Sequence, residues 1–199
     1  MSPRPPGGRS LVGTTVRLDP SLDTDAAGLF AALDHDEVWS VGYAGGPAAR
    51  PVDPAGWSSR LLAARDEQRA MFTVRLVADG RVVGTSSLGD VDLVNERTHL
   101  GWTAYEPSVW SSAVNPECKL LLLSHAFDEC GFGRVKIQTD LINVRSQAAI
   151  AKLGATREGV LRRHTRRADG TFRDTVVFAV TVDDWPHVRA GLEARLVKG

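Results

Sequence analysis

Residues 109–119 read VWSSAVNPECK and mark the junction between a predicted strand and a predicted helix. An alternating segment, residues 98–103, precedes them, and residues 120–127 follow as a run apolar enough for a buried helix. Pro116 suits the first helical position, and Asn115 before it is a favourable N-cap. A helix that begins there presents unpaired N–H groups and its positive dipole end, which favour a phosphate. The alternative is an ordinary capped core helix.

Composition limits the classes of protein to which the chain can belong. The 199 residues, 43% of them hydrophobic, suit one domain, predicted over residues 12–199. Lys plus Arg and Asp plus Glu both number 24, so charge gives no reason to expect nucleic acid or a membrane surface as partner. Residues 1–11 contain no apolar signal segment and predict a disordered tail on a cytoplasmic protein.

The two cysteines do not predict a disulfide. Cys118 and Cys130 fall on the same predicted helix, about 18 Å apart at the helical rise, which is too far for a bond. No zinc-type Cys/His cluster, Ser-His-Asp spacing or P-loop is present in the sequence, so we expect no metal site.

Hydrophobic periodicity and turn signals give the order β-α-α-β-β-β-α-β-α-β-β-α. Asp79-Gly80 predicts a hairpin, followed by a strand over residues 98–105. A helix connects that strand to the next, residues 134–140, so the two are expected to be parallel neighbours. Residues 143–153 predict a helix that ends at Gly154, before a hairpin about Asp169-Gly170.

The stretch at 140–155, DLINVRSQAAIAKLGA, carries a resemblance to a known family. Its Asn-x-x-Ser before a helix ending in Leu-Gly, with Glu158-Gly159 and Arg173-Asp174 after it, resembles the GNAT superfamily of acyl-CoA-dependent N-acyltransferases. The branch that it looks like contains the ribosomal-protein N-terminal (Rim-type) acetyltransferases. The resemblance covers roughly residues 12–183.

The resemblance implies a fold, a donor and an acceptor. The fold is of the α/β (α+β) class, with a mixed, mostly antiparallel sheet and a splayed central parallel strand pair. Acetyl-CoA or another acyl-CoA is the co-substrate. The resemblance places its pantetheine arm between the two parallel strands and its pyrophosphate on the helix start at Asn115-Pro116. The acceptor is a primary amine of a protein N-terminus or a small molecule. The acceptor pocket is formed by the N-terminal third of the chain and the final hairpin. The resemblance also implies a homodimer.

The phosphate loop departs from the family pattern. Where the family usually has Arg or Gln, two residues, Gly, one residue, and Gly or Ala, this chain has Trp110, Ala113 and Asn115. Ser111 and Ala113 keep the N–H donors but add Cβ atoms where a related branch has glycine. The donor-binding residues that the resemblance implies are Trp102, Thr103, Ala104, Ser111, Ser112, Ala113, Val114, Asn115, Glu117 and Asn143.

Four side chains are candidates for catalysis. His99 lies where related proteins often carry a glutamate, and an imidazole can accept the amine proton near neutral pH. By resemblance, Ser146 protonates the leaving thiolate and Asn143 holds the pantetheine or a water, while backbone N–H groups near Thr103 and Ala104 polarise the carbonyl. His164 is the second choice for the base.

Each of these candidates also has a purely structural alternative. His99 can be a histidine packed on a sheet face, and Asn143 with Ser146 can simply cap a helix. The missing glycines leave room for a non-catalytic protein that binds acyl-CoA or a partner. A transferase with another donor, such as aminoacyl-tRNA, is a further alternative, although zero net charge argues against tRNA.

Overall fold

A computed structural model describes residues 2–197 as one eight-stranded sheet with helices packed on it. The strand order is β1-β2-β3-β4-β5-β6-β8-β7, and every neighbouring pair is antiparallel except β5 and β6. The strands are β1 Leu11–Val12, β2 Val16–Pro20, β3 Ala70–Leu76, β4 Val82–Asp92, β5 Arg97–Tyr105, β6 Arg134–Asp140, β7 Thr156–Arg166 and β8 Phe172–Thr181. The mixed sheet and its parallel pair confirm the predicted fold class.

Six α-helices accompany the sheet in the described residues. They are α1 Ala26–Leu33, α2 Asp36–Trp39, α3 Pro54–Asp66, α4 Val114–Ser124, α5 Val144–Leu153 and α6 Trp185–Val197. A π-helical turn, His125–Glu129, extends α4. The predicted order of elements is therefore confirmed, with β1 and the one-turn helix α2 added.

Local sequence signals explain several element boundaries. Asp53 caps α3 by accepting a hydrogen bond from the Gly56 N–H, with Pro54 at the first helical position. Gly154 ends α5 in a left-handed conformation, φ 98°, which glycine adopts without steric cost. The core divides into two clusters, one holding Leu100 and α4 side chains and the other holding Trp39 and α3 side chains.

Two boundary predictions were wrong. Leu11, assigned to a disordered tail, lies in β1 paired with Leu18 and is 3% exposed, because the sheet edge offers its backbone a partner. Helix α4 begins at Val114 with Ala113 as N-cap, two residues before the predicted start at Pro116. Proline is tolerated there because first-turn N–H groups have no partner within the helix.

Neither cysteine forms a disulfide. Cys118 and Cys130 are free thiols, both buried, and burial raises the pKa of each. Within residues 2–197 no group of His, Cys, Asp or Glu side chains is placed to hold a metal ion. No helix in that range has the length and apolar character needed to cross a membrane.

Candidate active site

A cavity of about 890 Å³ opens where β5 and β6 separate. The two parallel strands pair only at Arg97 with Arg134, Thr98 with Val135 and His99 with Lys136. Beyond these positions both strands continue, and residues 100–105 and 137–140 line the cavity from opposite sides. The opening that the sequence predicted between splayed parallel strands is therefore present.

A β-bulge interrupts β5 inside the cavity. Ala104 pairs with Thr85 and Gly101 with Ser87, so two residues, Trp102 and Thr103, oppose one on β4. Trp102 has φ 50°, which turns the strand away from regular pairing. The bulge lies at the place where the family resemblance predicts carbonyl-polarising N–H groups, near Thr103 and Ala104.

His99 lies on β5 with its ring in the cavity wall. The residue is 3% exposed, its Nδ1 is 3.2 Å from Asp90 Oδ2, and its Nε2 has no hydrogen-bond partner in the described residues. Burial lowers the pKa of His99, although the hydrogen bond with Asp90 opposes that shift. The neutral imidazole therefore donates from Nδ1 to the carboxylate and keeps a free lone pair on Nε2.

The surroundings of His99 fix its position. A Cβ at Gly101 would lie 2.5 Å from Nε2, so only glycine lets the ring lie against the strand. The Trp102 ring packs on the other side, with the centroids 4.6 Å apart. Lys136 Nζ donates to the same Asp90 carboxylate at 3.0 Å. Hydrogen bonds from His99 and Lys136 lower the pKa of Asp90 against its burial.

The loop before α4 keeps a glycine-like backbone without glycine. Ser111 has φ 63°, in the left-handed region that glycine favours. Ser112 Oγ donates to the Val109 carbonyl at 2.6 Å and accepts the Val114 N–H at 3.2 Å. Ser111, Ser112 and Asn115 line the cavity. The N–H groups at this helix start therefore face the cavity end where an anion is expected.

The start of α5 lies opposite, with a side-chain cap. Asn143 Oδ1 accepts the Ser146 N–H at 2.9 Å, which confirms the capping alternative for Asn143. Both residues line the cavity, so the cap leaves the Ser146 hydroxyl free for a second role. Arg145 stacks on Trp110, with the guanidinium carbon 3.4 Å from the ring centroid.

Lys119 is a buried cation that no sequence pattern assigned to the site. Its Nζ donates to Thr103 Oγ1 at 2.8 Å, and that hydroxyl also bonds Ser86 Oγ at 2.7 Å. Lys119 is 8% exposed, lines the cavity, and has no carboxylate within 4.0 Å in the described residues. Burial lowers its pKa to about 8. The Lys119 ammonium therefore holds the side chain of Thr103, one of the two bulge residues, in place.

Several predicted site residues lie elsewhere. Glu117 points away from the cavity. Its carboxylate accepts hydrogen bonds from Thr14, Thr15 and Val16 and so anchors α4 to β2. The prediction that Glu117 binds the donor was therefore wrong. Val114 is 2% exposed in the core, and Ala113 does not line the cavity, because the helix begins earlier than predicted.

His164 also lies outside the cavity lining. It is exposed on β7, where its Nδ1 lies 3.1 Å from Thr175 Oγ1. No sequence signal pointed to Asp90, the partner of His99, because a separation of nine residues across a bulged hairpin matches no motif. Lys119 is the last residue of the stretch 109–119, but no pattern in that stretch predicted its role.

One known protein family and one curated relative are similar to this chain in sequence. The family model described as the acetyltransferase (GNAT) domain matches residues 15–156. A candidate ribosomal N-acetyltransferase of Bacillus subtilis (strain 168), YdaF, is 26% identical over 110 residues, which are 55% of this chain and 59% of that protein, less than two thirds of its length.

Solved structures of other proteins share the fold of this chain. The crystal structure of a candidate acetyltransferase from T. thermophilus has a TM-score of 0.84 and 35% identity, covering 95% of this chain and 97% of that one. Mycobacterium smegmatis RimJ, solved with CoA-disulfide, has a TM-score of 0.76 and 24% identity, covering 94% and 91%; at that identity it shows the shared fold.

The chain belongs to the GNAT acetyltransferase family, with neighbours among the Rim-type ribosomal N-acetyltransferases.

Proposed function

We propose that this protein transfers an acetyl or other short acyl group from coenzyme A to a primary amine. The observation that carries the proposal is the position of His99 Nε2, a buried nitrogen without a partner among the described residues, in a cavity that also receives an open helix start. A buried polar atom without a partner is costly unless a ligand satisfies it. The acceptor amine is the group that would do so.

The donor end of the cavity suits coenzyme A. The start of α4 offers N–H groups and a dipole for the pyrophosphate, and Ser111 retains the left-handed backbone despite its Cβ. Arg145, Lys152 and Arg195 add positive charge to the lining near α5 and α6. The serine and alanine in the loop are therefore compatible with a phosphate-bearing donor, which supports coenzyme A over a donor of another kind.

The reaction needs one proton accepted and one delivered. The amine nitrogen attacks the thioester carbonyl carbon, a C–N bond forms and the C–S bond breaks. His99 Nε2 accepts the amine proton while Asp90 stabilises the imidazolium. Ser146 Oγ–H supplies a proton to the leaving thiolate and recovers one from water. N–H groups at the bulge beside Thr103 and Ala104 stabilise the oxyanion.

The first experiment joins calorimetric titration of acetyl-, succinyl- and longer acyl-CoA with transfer assays on the His99→Gln variant. We expect wild type to bind donor, and the variant to bind it equally but to lose about 100-fold in kcat/KM. The acidic limb of the wild-type pH profile should fall below the ordinary histidine pKa, because burial lowers the pKa of His99 and the base works only when neutral. That limb should vanish in His99→Gln.

His164→Gln is the matched control, because this exposed histidine lies outside the cavity lining. It should keep the wild-type rate and pH profile. An unchanged rate in His99→Gln together with a slowed His164→Gln would transfer the role of base to the hairpin. Absence of binding to every acyl-CoA would refute the coenzyme A donor and leave the alternatives with another donor or no catalysis.

A further inference from the structure

The acceptor end of the cavity is rich in arginine. This part of the lining comes from the segment around α2, from α3 and from the β7–β8 hairpin. It contains five arginines but three carboxylates: Arg60, Arg69, Arg166, Arg167 and Arg173, against Glu67, Asp90 and Asp140. Two of the arginines are already paired, Arg69 with Glu67 and Arg167 with Asp140. An excess of positive charge therefore faces the place where the amine must enter.

Arg173 and Arg60 have no acid partner within 4.0 Å among the described residues. Arg173 is half-buried on β8, and its Nε donates to Thr175 Oγ1 at 2.8 Å. Arg60 is half-buried on α3, with its guanidinium over the rings of Trp39 and Trp57. Burial lowers the pKa of both arginines. Asp140 is paired directly with Arg167 and attracts Arg173 only without a direct contact, so the half-buried guanidinium of Arg173 would gain from a ligand anion.

Three cavity-lining residues carry a buried polar atom without a hydrogen-bond partner in the described residues; one is the Tyr105 hydroxyl, and the other two lie where the parallel strands separate. His99 Nε2 and Gln138 Oε1 are both buried without a hydrogen-bond partner in the described residues. They lie on β5 and β6 beside the point of separation, since His99 pairs with Lys136 and Gln138 follows two residues later. Both atoms accept hydrogen bonds, so together they suit the N–H groups of an amine. Arg173 lines the same cavity and lies on β8 two residues before Thr175, which pairs with Asp140 at the end of β6.

We propose that the acceptor is a primary amine that carries a carboxylate close to its nitrogen, with Arg173 binding the carboxylate and Gln138 orienting the amine toward His99. This inference rests on the proposed function and names its substrate class. Arg60 also lines the cavity and adds positive charge that attracts the same anion. The carboxylate has two possible sources: the α-carboxylate of a free amino acid, or the side chain of an acidic residue at a peptide N-terminus.

Matched acceptor pairs separate these sources. The first pair is L-alanine and L-alaninamide, which differ at the α-carboxylate; the second is a hexapeptide that begins with Asp and the same peptide beginning with Asn. Each probe is titrated into the full-length protein by calorimetry without donor, and each is then assayed with acetyl-CoA. We expect the carboxylate member of one pair to be favoured by about 30-fold in affinity and in KM, and the favoured pair identifies the source.

The Arg173→Gln variant should reduce that preference to less than about 3-fold while neutral amines keep their KM, and Arg173→Lys should retain part of it. Arg162→Gln, an exposed position on β7 outside the lining, is the control and should keep the full preference. Equal binding of both members in both pairs would overturn the inference, as would a preference that survives in Arg173→Gln. The donor-free titration decides this even if no transfer occurs, whereas failure to bind acyl-CoA refutes only the proposed function.

Discussion

Helices α4 and α5 both begin at the cavity, but their first turns are built differently. At α5 the Asn143 side chain accepts the Ser146 N–H, so part of the positive end is neutralised within the protein. At α4 the N-cap is Ala113, which has no side chain that can accept, and Ser112 takes only the Val114 N–H. Each region contains an asparagine and a serine, but an asparagine side chain caps only α5. Under the proposed function, this difference favours α4 over α5 as the binding place of the donor phosphates.

The largest expected effect comes from placing a carboxylate at each helix start. Asn115→Asp adds a negative charge where the pyrophosphate is proposed to bind, and should weaken coenzyme A binding about 50-fold, or about 2 kcal/mol, by direct repulsion. Asn143→Asp keeps a good N-cap at the other helix and should weaken binding only about 3-fold, because distance and solvent screen the charge. Calorimetric dissociation constants measure both. An equal loss of coenzyme A affinity in the two variants would show that the phosphates do not bind preferentially at the start of α4.

The next effect concerns Lys119, the buried cation on α4. Its pKa falls from the usual 10.5 to about 8 in the folded protein, so the unfolded chain binds more protons between these values and stability rises with pH there. From pH 7 to pH 9.5 this contributes about 2 kcal/mol, which Lys119→Met should abolish. Urea unfolding of both proteins at the two pH values gives the difference. An identical pH dependence in wild type and variant would mean that Lys119 is not buried in its charged form.

The smallest effect tests the loop backbone. Ser111→Gly should stabilise the fold by about 1 kcal/mol, because glycine adopts φ 63° without the steric cost that serine pays there. Ser112→Gly is the matched control and should destabilise by about 1 kcal/mol, since it removes two hydrogen bonds at an ordinary backbone angle. Thermal unfolding measures both. Stabilisation by neither substitution would show that the loop does not hold Ser111 in the left-handed region.

Much of the fold was predictable because its signals are local. Alternating hydrophobic residues give the strands, Asp79-Gly80 gives a hairpin, and Asn143 with Gly154 bounds α5. The start of α4 was predicted two residues too late. Asn115-Pro116 satisfies the local rules for a helix start, but residues 113 and 114 extend the helix toward the N-terminus. Glu117 was misassigned for a related reason: a first-turn carboxylate suits a ligand or a neighbouring turn equally well, and only packing against β2 decides.

The candidate site was predictable in part. His99, Asn143 and Ser146 were found by resemblance, and the structure places all three in one cavity. The partners that define the chemistry were not found, because they act across the sheet or from a distant hairpin. Asp90 orients His99 across a bulge, and Arg173 comes from β8, more than seventy residues later in the sequence.

The sequence by itself determined the elements, the parallel pair and the family, since hydrophobic period, turn residues and a short motif are properties of neighbouring residues. Tertiary structure alone decided which polar groups remain without partners. Glu117 found four donors and became structural, whereas His99 Nε2 and Gln138 Oε1, which belong to cavity-lining residues, found none among the described residues. Whether a buried polar atom is satisfied depends on every segment that packs against it, and that information exists only once the chain has folded.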